Sequence, residues 1–252
     1  MRVALFVPCY MNDFHPDAAL SAYEVLKRHG CDVVYPRNQK CCGQPFLNNG
    51  MHEEASEMAD IFLSVFGDFD YIVSPSSSCI GAVKYRYATL EGGERFDSLS
   101  RKSYELCEFL HDIVGVENLD FQTPFTRKTG LHDSCHAVRE LYLSSPSELN
   151  IPRYSKVEAV LSRVPGIEIV RPQRDECCGF GGGFSVMEPD ISVMMGRDRI
   201  DDHSSKGVEV ITGVDASCLM HMEAIARREK RNISFLHIAN ILAGREKGDI
   251  RL

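Results

Sequence analysis

The chain is 252 residues long, 44% hydrophobic and 25% charged, so each half has the size of a small domain able to bury a core. Its 28 basic and 36 acidic residues give a formal charge of −8. The acidic residues are scattered, which leaves no electrostatic footprint for nucleic acid or an anionic membrane surface. The opening run Val3–Val7 is too short for a signal-peptide core or a membrane span and leads directly into Pro8-Cys9. A cytoplasmic protein with no integral membrane segment is expected, and in that reducing compartment clustered cysteines point to metal binding or catalysis rather than to disulfides.

In chain order, Val3–Val7 reads as a buried parallel strand. Pro16–Arg28 reads as a helix with Ala18, Ala19, Ala22, Val25 and Leu26 at helical spacing, closed by Gly30. Cys31–Tyr35 is a second strand, Met51–Phe66 a helix with Met58, Ile61, Phe62 and Val65 on one face, and Tyr71–Val73 a third strand ending in Ser74-Pro75. After a link at Glu117–Lys128 the pattern recurs: a strand at Leu131, a helix near Lys156–Arg163, strand Ile167–Val170, a helix from about Pro189, and strand Val208–Ile211. Sequential βα units predict an α/β fold of two pseudo-repeated, Rossmann-like halves, each with a parallel sheet and right-handed crossovers. The expected division is 1–116 for the first repeat, 117–128 for the linker and 129–252 for the second repeat. Phe-Leu-His occurs at both Phe109–His111 and Phe235–His237, which reads as a shared repeat position with structural roles for His111 and His237.

The cysteines carry the chemistry. A lone Cys after an apolar run, a Cys-Cys-Gly triplet and a further Cys give Cys9, Cys41-Cys42-Gly43 and Cys79, and again Cys135, Cys177-Cys178-Gly179 and Cys218. The first intervals are 32 and 42 residues and the second 37 and 40, so eight of the ten cysteines form two equivalent sets of four. They fall at strand ends and in the loops beyond, where open α/β sheets place ligands. Neighbouring parallel strands lie roughly 5 Å apart, so three such loops can converge on one centre. Adjacent cysteines in an extended strand would point to opposite faces; both reach one centre only through a sharp bend, which Gly43 or Gly179 permits. A single zinc ion can use one or both of the paired thiolates, but a multi-iron cluster offers them separate or bridging positions, which favours iron-sulfur.

The segments Lys-Cys41-Cys42-Gly-Gln-Pro45, Ser74-Pro-Ser-Ser-Ser-Cys79, Leu131-His-Asp-Ser-Cys-His136, Cys177-Cys178-Gly-Phe-Gly-Gly182 and Ser217-Cys218-Leu-Met-His221 resemble the lactate utilization protein A family. That family belongs to the cysteine-rich CCG-domain proteins, with the B subunit of heterodisulfide reductase and the iron-sulfur subunit of glycolate oxidase. The resemblance covers nearly the whole chain. It implies an iron-sulfur oxidoreductase subunit, inactive without two further lactate-utilization subunits, one of them an iron-sulfur protein. The complex would oxidise L-lactate, a small 2-hydroxy acid, to pyruvate.

The reductase has a fifth thiolate in each repeat, holding a non-cubane four-iron cluster, but here the corresponding positions are Ala82 and His221. The second half is therefore expected to hold a cluster, of 4Fe-4S type and cubane or non-cubane, through Cys135, Cys177, Cys178, Cys218 and His221. The first half would hold a second cluster or a zinc ion through Cys9, Cys41, Cys42 and Cys79, four thiolates being enough for a closed tetrahedral site.

The remaining candidates have plainer readings beside the functional ones. Gly181-Gly182-Gly183 lacks the Lys-Ser/Thr of a phosphate loop and reads as close backbone approach to a cluster. His132 and His136 flank Cys135, either hydrogen-bonding a ligand sulfur or meeting substrate, or simply as half-buried satisfied side chains. Cys31 and Cys107 fall outside the repeat and read as small buried apolar residues; Arg139 suits a carboxylate or a solvated helix face. Three classes of function compete: an electron-transfer subunit for lactate oxidation, which leads, a thiol-disulfide reductase, and a zinc-bearing scaffold.

Overall fold

The computed structural model describes residues 1–246; the last six residues of the expected second repeat lie outside the described residues. The first half runs β1 (Arg2–Leu5), α1 (Cys9–Phe14), α2 (Pro16–Arg28), β2 (Asp32–Val34), α3 (Gln44–Asn48), α4 (His52–Phe66), β3 (Tyr71–Ser74), α5 (Ser77–Gly81), α6 (Asp97–Lys102), β4 (Ser103–Glu105) and α7 (Leu106–Phe109). The second runs β5 (Lys128–His132), α8 (Cys135–Arg139), α9 (Lys156–Leu161), β6 (Glu168–Val170), α10 (Gly183–Met187), α11 (Pro189–Ser204), β7 (Val210–Gly213), α12 (Ala216–Arg228), β8 (Ser234–His237) and α13 (Ile238–Ala243). Among the described residues these strands make two four-stranded sheets, β2-β1-β3-β4 and β6-β5-β7-β8, all pairs parallel. The same order occurs twice, as the α/β alternation predicts. The registers also correspond, Leu5 standing opposite Val73 and Leu131 opposite Thr212.

Local chemistry accounts for the elements that the sequence made legible. Helix α2 starts on Pro16, whose fixed φ suits a first helical position, carries Asp17 in its first turn and Lys27 and Arg28 in its last, and buries Ala18, Ala22, Val25 and Leu26. Strand side chains alternate between two cores. Val3 and Leu5 join a core that continues through Val73 into Leu131 and Val210 of the other half, whereas Ala4 and Phe6 face a second core with Phe62, Phe66, Tyr87 and Phe96. In the second half Val210 faces the shared core and Ile211 an outer one with Ile200, Leu219 and Met222. The halves are thus joined through a common apolar layer. The segment expected to be a linker contributes to it: Leu119, Phe121 and Phe125 are buried there, and Lys128 already belongs to β5.

Two edge strands escaped the sequence reading. Strand β4 is only Ser-Tyr-Glu and lacks an apolar run; β8 is Ser-Phe-Leu-His. Their ends correct the proposed Phe-Leu-His equivalence, because Phe109 lies in α7 and His111 in the wide helical turn after it, whereas His237 closes β8. The counterpart of His237 is Glu105. Each ends an edge strand and caps the next helix, Glu105 accepting from the Cys107 and Glu108 amides and His237 Nδ1 from the Ala239 amide.

Candidate metal centre

Both sets of cysteines reach the carboxyl ends of their sheets. Cys9 and Cys135 are the first residues of α1 and α8, the pairs Cys41-Cys42 and Cys177-Cys178 lie in the loops before α3 and α10, and Cys79 and Cys218 lie in the first turns of α5 and α12. The pair loops bend at a glycine in each half, Gly43 with φ of 74° and Gly179 with φ of 89°, the left-handed backbone that glycine adopts without strain. At Gly179 a side chain is also barred by space, since a Cβ would stand 2.5 Å from the Ser192 carbonyl oxygen. All eight cysteines line one cavity of about 330 Å³ at the seam between the halves.

The seam has approximate two-fold character: α1 packs on α12 and, correspondingly, α8 on α5. Its anchor is Asp215, 2% exposed at the N-terminus of α12. Its carboxylate accepts hydrogen bonds from the Ser76 and Ser78 hydroxyls (both 2.9 Å), the Ser78 amide (3.1 Å) and the Ser134 hydroxyl (2.6 Å), and a further one from Ser77. Ser76, three residues before Cys79 as Asp215 is before Cys218, caps its own helix by accepting from the Cys79 amide. Asp215 instead accepts from serines of both halves, Ser134 of its own and Ser76, Ser77 and Ser78 across the seam. Burial would raise its carboxyl, but the nearby His136 and the hydrogen bonds from Ser134, Ser77 and the Ser78 amide outweigh it and hold the group below its ordinary value. Gln44 Nε2 lies 3.1 Å from His136 Nε2, and His136 Nδ1 lies 3.6 Å from Cys135 Sγ, so His136 connects a thiol of one half to the residue after the Cys-Cys-Gly triplet of the other.

Within each set the thiols touch in series. In the first, Cys9 Sγ lies 3.9 Å from Cys41 Sγ, and hydrogen bonds from Cys42 and Cys9, with the Gly43 amide, hold Cys41 down at about 3 against the opposing effect of burial. Cys9 is pushed up by its contact with Cys41 and by burial, and Cys42 by Cys41 and Cys79 and by burial. The second set repeats this. Cys177 is lowered by contacts with Cys135 and Cys178, Cys135 is raised by Cys177 and burial, and Cys178 is raised by Cys177, Cys218 and burial. In Cys218 the contact with Cys178 lowers the thiol, but burial and the Asp215 carboxylate raise it further. Within each pair the first thiol is thus held down and the second pushed up, so the second retains its proton. A metal cation takes the place of such protons and lets all four sulfurs ionise, so the donor set fits a thiolate-ligated metal or iron-sulfur group.

Supporting groups differ between the halves. In the first, the buried Tyr87 hydroxyl donates to the Cys42 carbonyl at 2.9 Å. In the second, Ser192 of α11 donates to the Gly179 carbonyl at 2.8 Å. His221, expected as a fifth donor, is turned to this support: its Nε2 lies 3.2 Å from the Ser192 carbonyl oxygen and 3.4 Å from the Ser192 hydroxyl. Among the described residues His132 is the imidazole that joins two thiols in one group, its ring nitrogen, Cys178 Sγ and Cys218 Sγ lying within 4.8 Å of one another. Its position three residues before Cys135 was the available signal. Burial, reinforced by Arg199, lowers His132 to about 4 and keeps it neutral, and His203 packs edge-on against it at 6.3 Å between ring centroids.

The lesser candidates resolve simply. Cys31 and Cys107 are buried in the shared core, Arg139 pairs with Glu148 at 2.7 Å, and Gly181, Gly182 and Gly183 line the cysteine cavity. Replacing His221 with Ala is expected to leave bound metal at the wild-type level. Loss of the Ser192 hydrogen bond, worth about 1 kcal/mol, should lower the melting temperature by roughly 2–4 °C in a chain of this size. Metal analysis and thermal unfolding of the variant check this.

A lone Cys, a Cys-Cys-Gly loop and a second lone Cys, presented twice at the strand ends of duplicated α/β half-units, define a cysteine-rich repeat protein. A model of the cysteine-rich domain CCG matches residues 3–84 and again 129–223. Lactate utilization protein A of Shouchella clausii (strain KSM-K16) is 36% identical over 252 residues, covering 98% of this chain and all of the relative. The protein of the same name from Bacillus subtilis (strain 168) is 34% identical over 97% of this chain and all of its own length. The chain belongs to the cysteine-rich CCG proteins and, among them, to the lactate utilization protein A family. In fold it is similar to a hypothetical protein from Helicobacter pylori, with a TM-score of 0.55 and 12% identity over 98% of this chain, which spans about half (49%) of that one.

Proposed function

We propose that this chain is the iron-sulfur electron-transfer subunit of a complex that oxidises L-lactate to pyruvate. The observation that carries the reading is the pair of four-thiol sets lining a single cavity at the seam of the halves; the kinship with proteins named for lactate utilization supplies the substrate. Cys135, Cys177, Cys178 and Cys218 would hold an iron-sulfur cluster of four-iron type. Cys9, Cys41, Cys42 and Cys79 would hold a second cluster or a zinc ion, since four thiols suffice for a closed tetrahedral site and no imidazole is grouped with them among the described residues. An iron-sulfur cluster supplies one-electron storage and transfer at a potential set by charge, hydrogen bonds and exposure.

The residues of the chain itself hold and shield. The glycine-bent loops bring paired sulfurs to one side, Tyr87 and Ser192 fix the loop carbonyls, and Tyr10 packs edge-on to Phe180 across the seam at 5.4 Å, placing apolar rings at the cavity wall. Substrate oxidation is assigned to the assembled complex, with the two companion subunits, one of them an iron-sulfur protein, as the partners through which the 2-hydroxy acid is engaged. No helix among the described residues is long and apolar enough to cross a membrane; a cytoplasmic complex is part of the proposal.

The test is genetic and chemical together. In a cell without other lactate oxidases, deletion of this chain should abolish growth on L-lactate. A variant with Cys135, Cys177, Cys178 and Cys218 all changed to Ser should fail to restore growth at normal protein level. Rescue by that variant would sink the redox role. Colourless, zinc-only protein from anaerobic purification would favour a scaffold.

A further inference from the structure

The two halves contain an internal comparison at the position three residues before the first cysteine of each set. In the first half it is Phe6, fully buried and packed edge-on against Phe62 and Phe66 with ring centroids 5.0 and 5.6 Å away. In the second it is His132, 2% exposed, which follows Leu131 as Phe6 follows Leu5, the two leucines holding corresponding registers in their sheets. An aromatic hydrocarbon ring therefore satisfies this place in the fold, and packing alone does not call for an imidazole. A buried imidazole carries a cost that phenylalanine does not: His132 Nε2 has no hydrogen-bond partner, and an unsatisfied buried polar atom is ordinarily destabilising. The half with the polar ring is also the half in which a ring nitrogen shares a 4.8 Å group with two thiols. His221 has its Nε2 engaged by Ser192.

We propose that His132 is a metal ligand, its imidazole nitrogen joining the sulfurs of Cys178 and Cys218 on the centre of the second half. This rests on the reading that the second set of cysteines holds an iron centre, and it makes that centre chemically unlike the first. Imidazole suits iron as well as zinc, and a neutral nitrogen in place of a thiolate sulfur carries less negative charge, which favours the reduced form. The second-half centre accordingly accepts electrons more readily than an all-thiolate centre would.

The experiment uses full-length protein purified anaerobically from cells fed histidine labelled with ¹⁵N in the imidazole ring. Iron content and pulsed electron paramagnetic resonance are measured in whichever oxidation state is paramagnetic. The expected result is an imidazole ¹⁵N coupling that persists in His221→Ala and disappears in His132→Phe, the substitution that copies the first half. His132→Cys, which retains a donor, should keep the iron and lose the nitrogen coupling; it decides the matter if His132→Phe does not fold. Iron-loaded wild-type protein without imidazole coupling, or coupling that survives both substitutions at His132, overturns the proposal and leaves the iron-centre reading standing. Wild-type protein with no iron overturns both.

Discussion

Changing Cys177 and Cys178 together to Ser is expected to remove most of the iron from anaerobically purified protein and most of its visible absorbance. These residues supply two of the four thiols in the second set, including Cys177, which its contacts with Cys135 and Cys178 hold down. A serine hydroxyl does not ionise near neutral pH, so the centre loses two anionic donors. That should exceed the roughly 10–100-fold fall in metal affinity that follows loss of a mere outer partner. The substituted loop should still form, because Gly179 and the Ser192 hydrogen bond to its carbonyl remain. Metal analysis alongside circular dichroism separates lost ligands from lost fold. Wild-type iron content in the folded double variant would show that the second set holds no cluster. The matching change at Cys41 and Cys42 should reduce either iron or zinc, which identifies the occupant of the first set.

A second large effect is expected away from the sulfurs, in Asp215→Ala. This substitution removes a buried carboxylate that accepts from serines of both halves and strands their hydroxyls at the seam. Hydrogen bonds to a charged group contribute about 1.5–3 kcal/mol each and do not add fully, so a loss of about 3 kcal/mol is expected. In a chain of this length that lowers the melting temperature by roughly 6–12 °C. The folded carboxyl is held below its ordinary value, so its stabilising contribution is complete above about pH 4 and is lost as pH falls through the folded value. The wild-type and Asp215→Ala proteins should therefore converge in stability under acid. An unchanged melting temperature at neutral pH would show that the carboxylate does not anchor the seam. The same variant should loosen both cysteine sets, because Ser76, Ser78 and Ser134 each lie within three residues of a proposed ligand.

The duplicated architecture was legible in the chain because its signals are local. The period of α2, its proline start and the following glycine define that helix without reference to anything distant, and each Cys-Cys-Gly loop carries its own bend. Two equivalent thiol sets at strand ends follow from the βα alternation and from spacing alone. Edge strands β4 and β8 were not legible, since Ser-Tyr-Glu has no apolar run and Ser-Phe-Leu-His only two apolar residues, whereas the similarly short edge strands β2 and β6 carry Val33-Val34 and Ile169-Val170.

Three features were decided only in the tertiary structure. That both sets open on one cavity depends on α1 meeting α12, on α5 meeting α8 and on Asp215 bonding to serines of the other half, contacts between residues more than a hundred positions apart for the serines at 76 and 78. That the expected linker is part of the core depends on the shared apolar layer receiving Leu119, Phe121 and Phe125. The resemblance to the reductase pattern put His221 at the fifth-ligand position, but α12 packs on α11 and turns that imidazole to Ser192, while the end of β5 carries His132 to the thiols. Residue types and their intervals determine which donors a chain possesses; the packing of whole elements against one another determines which of them share a centre.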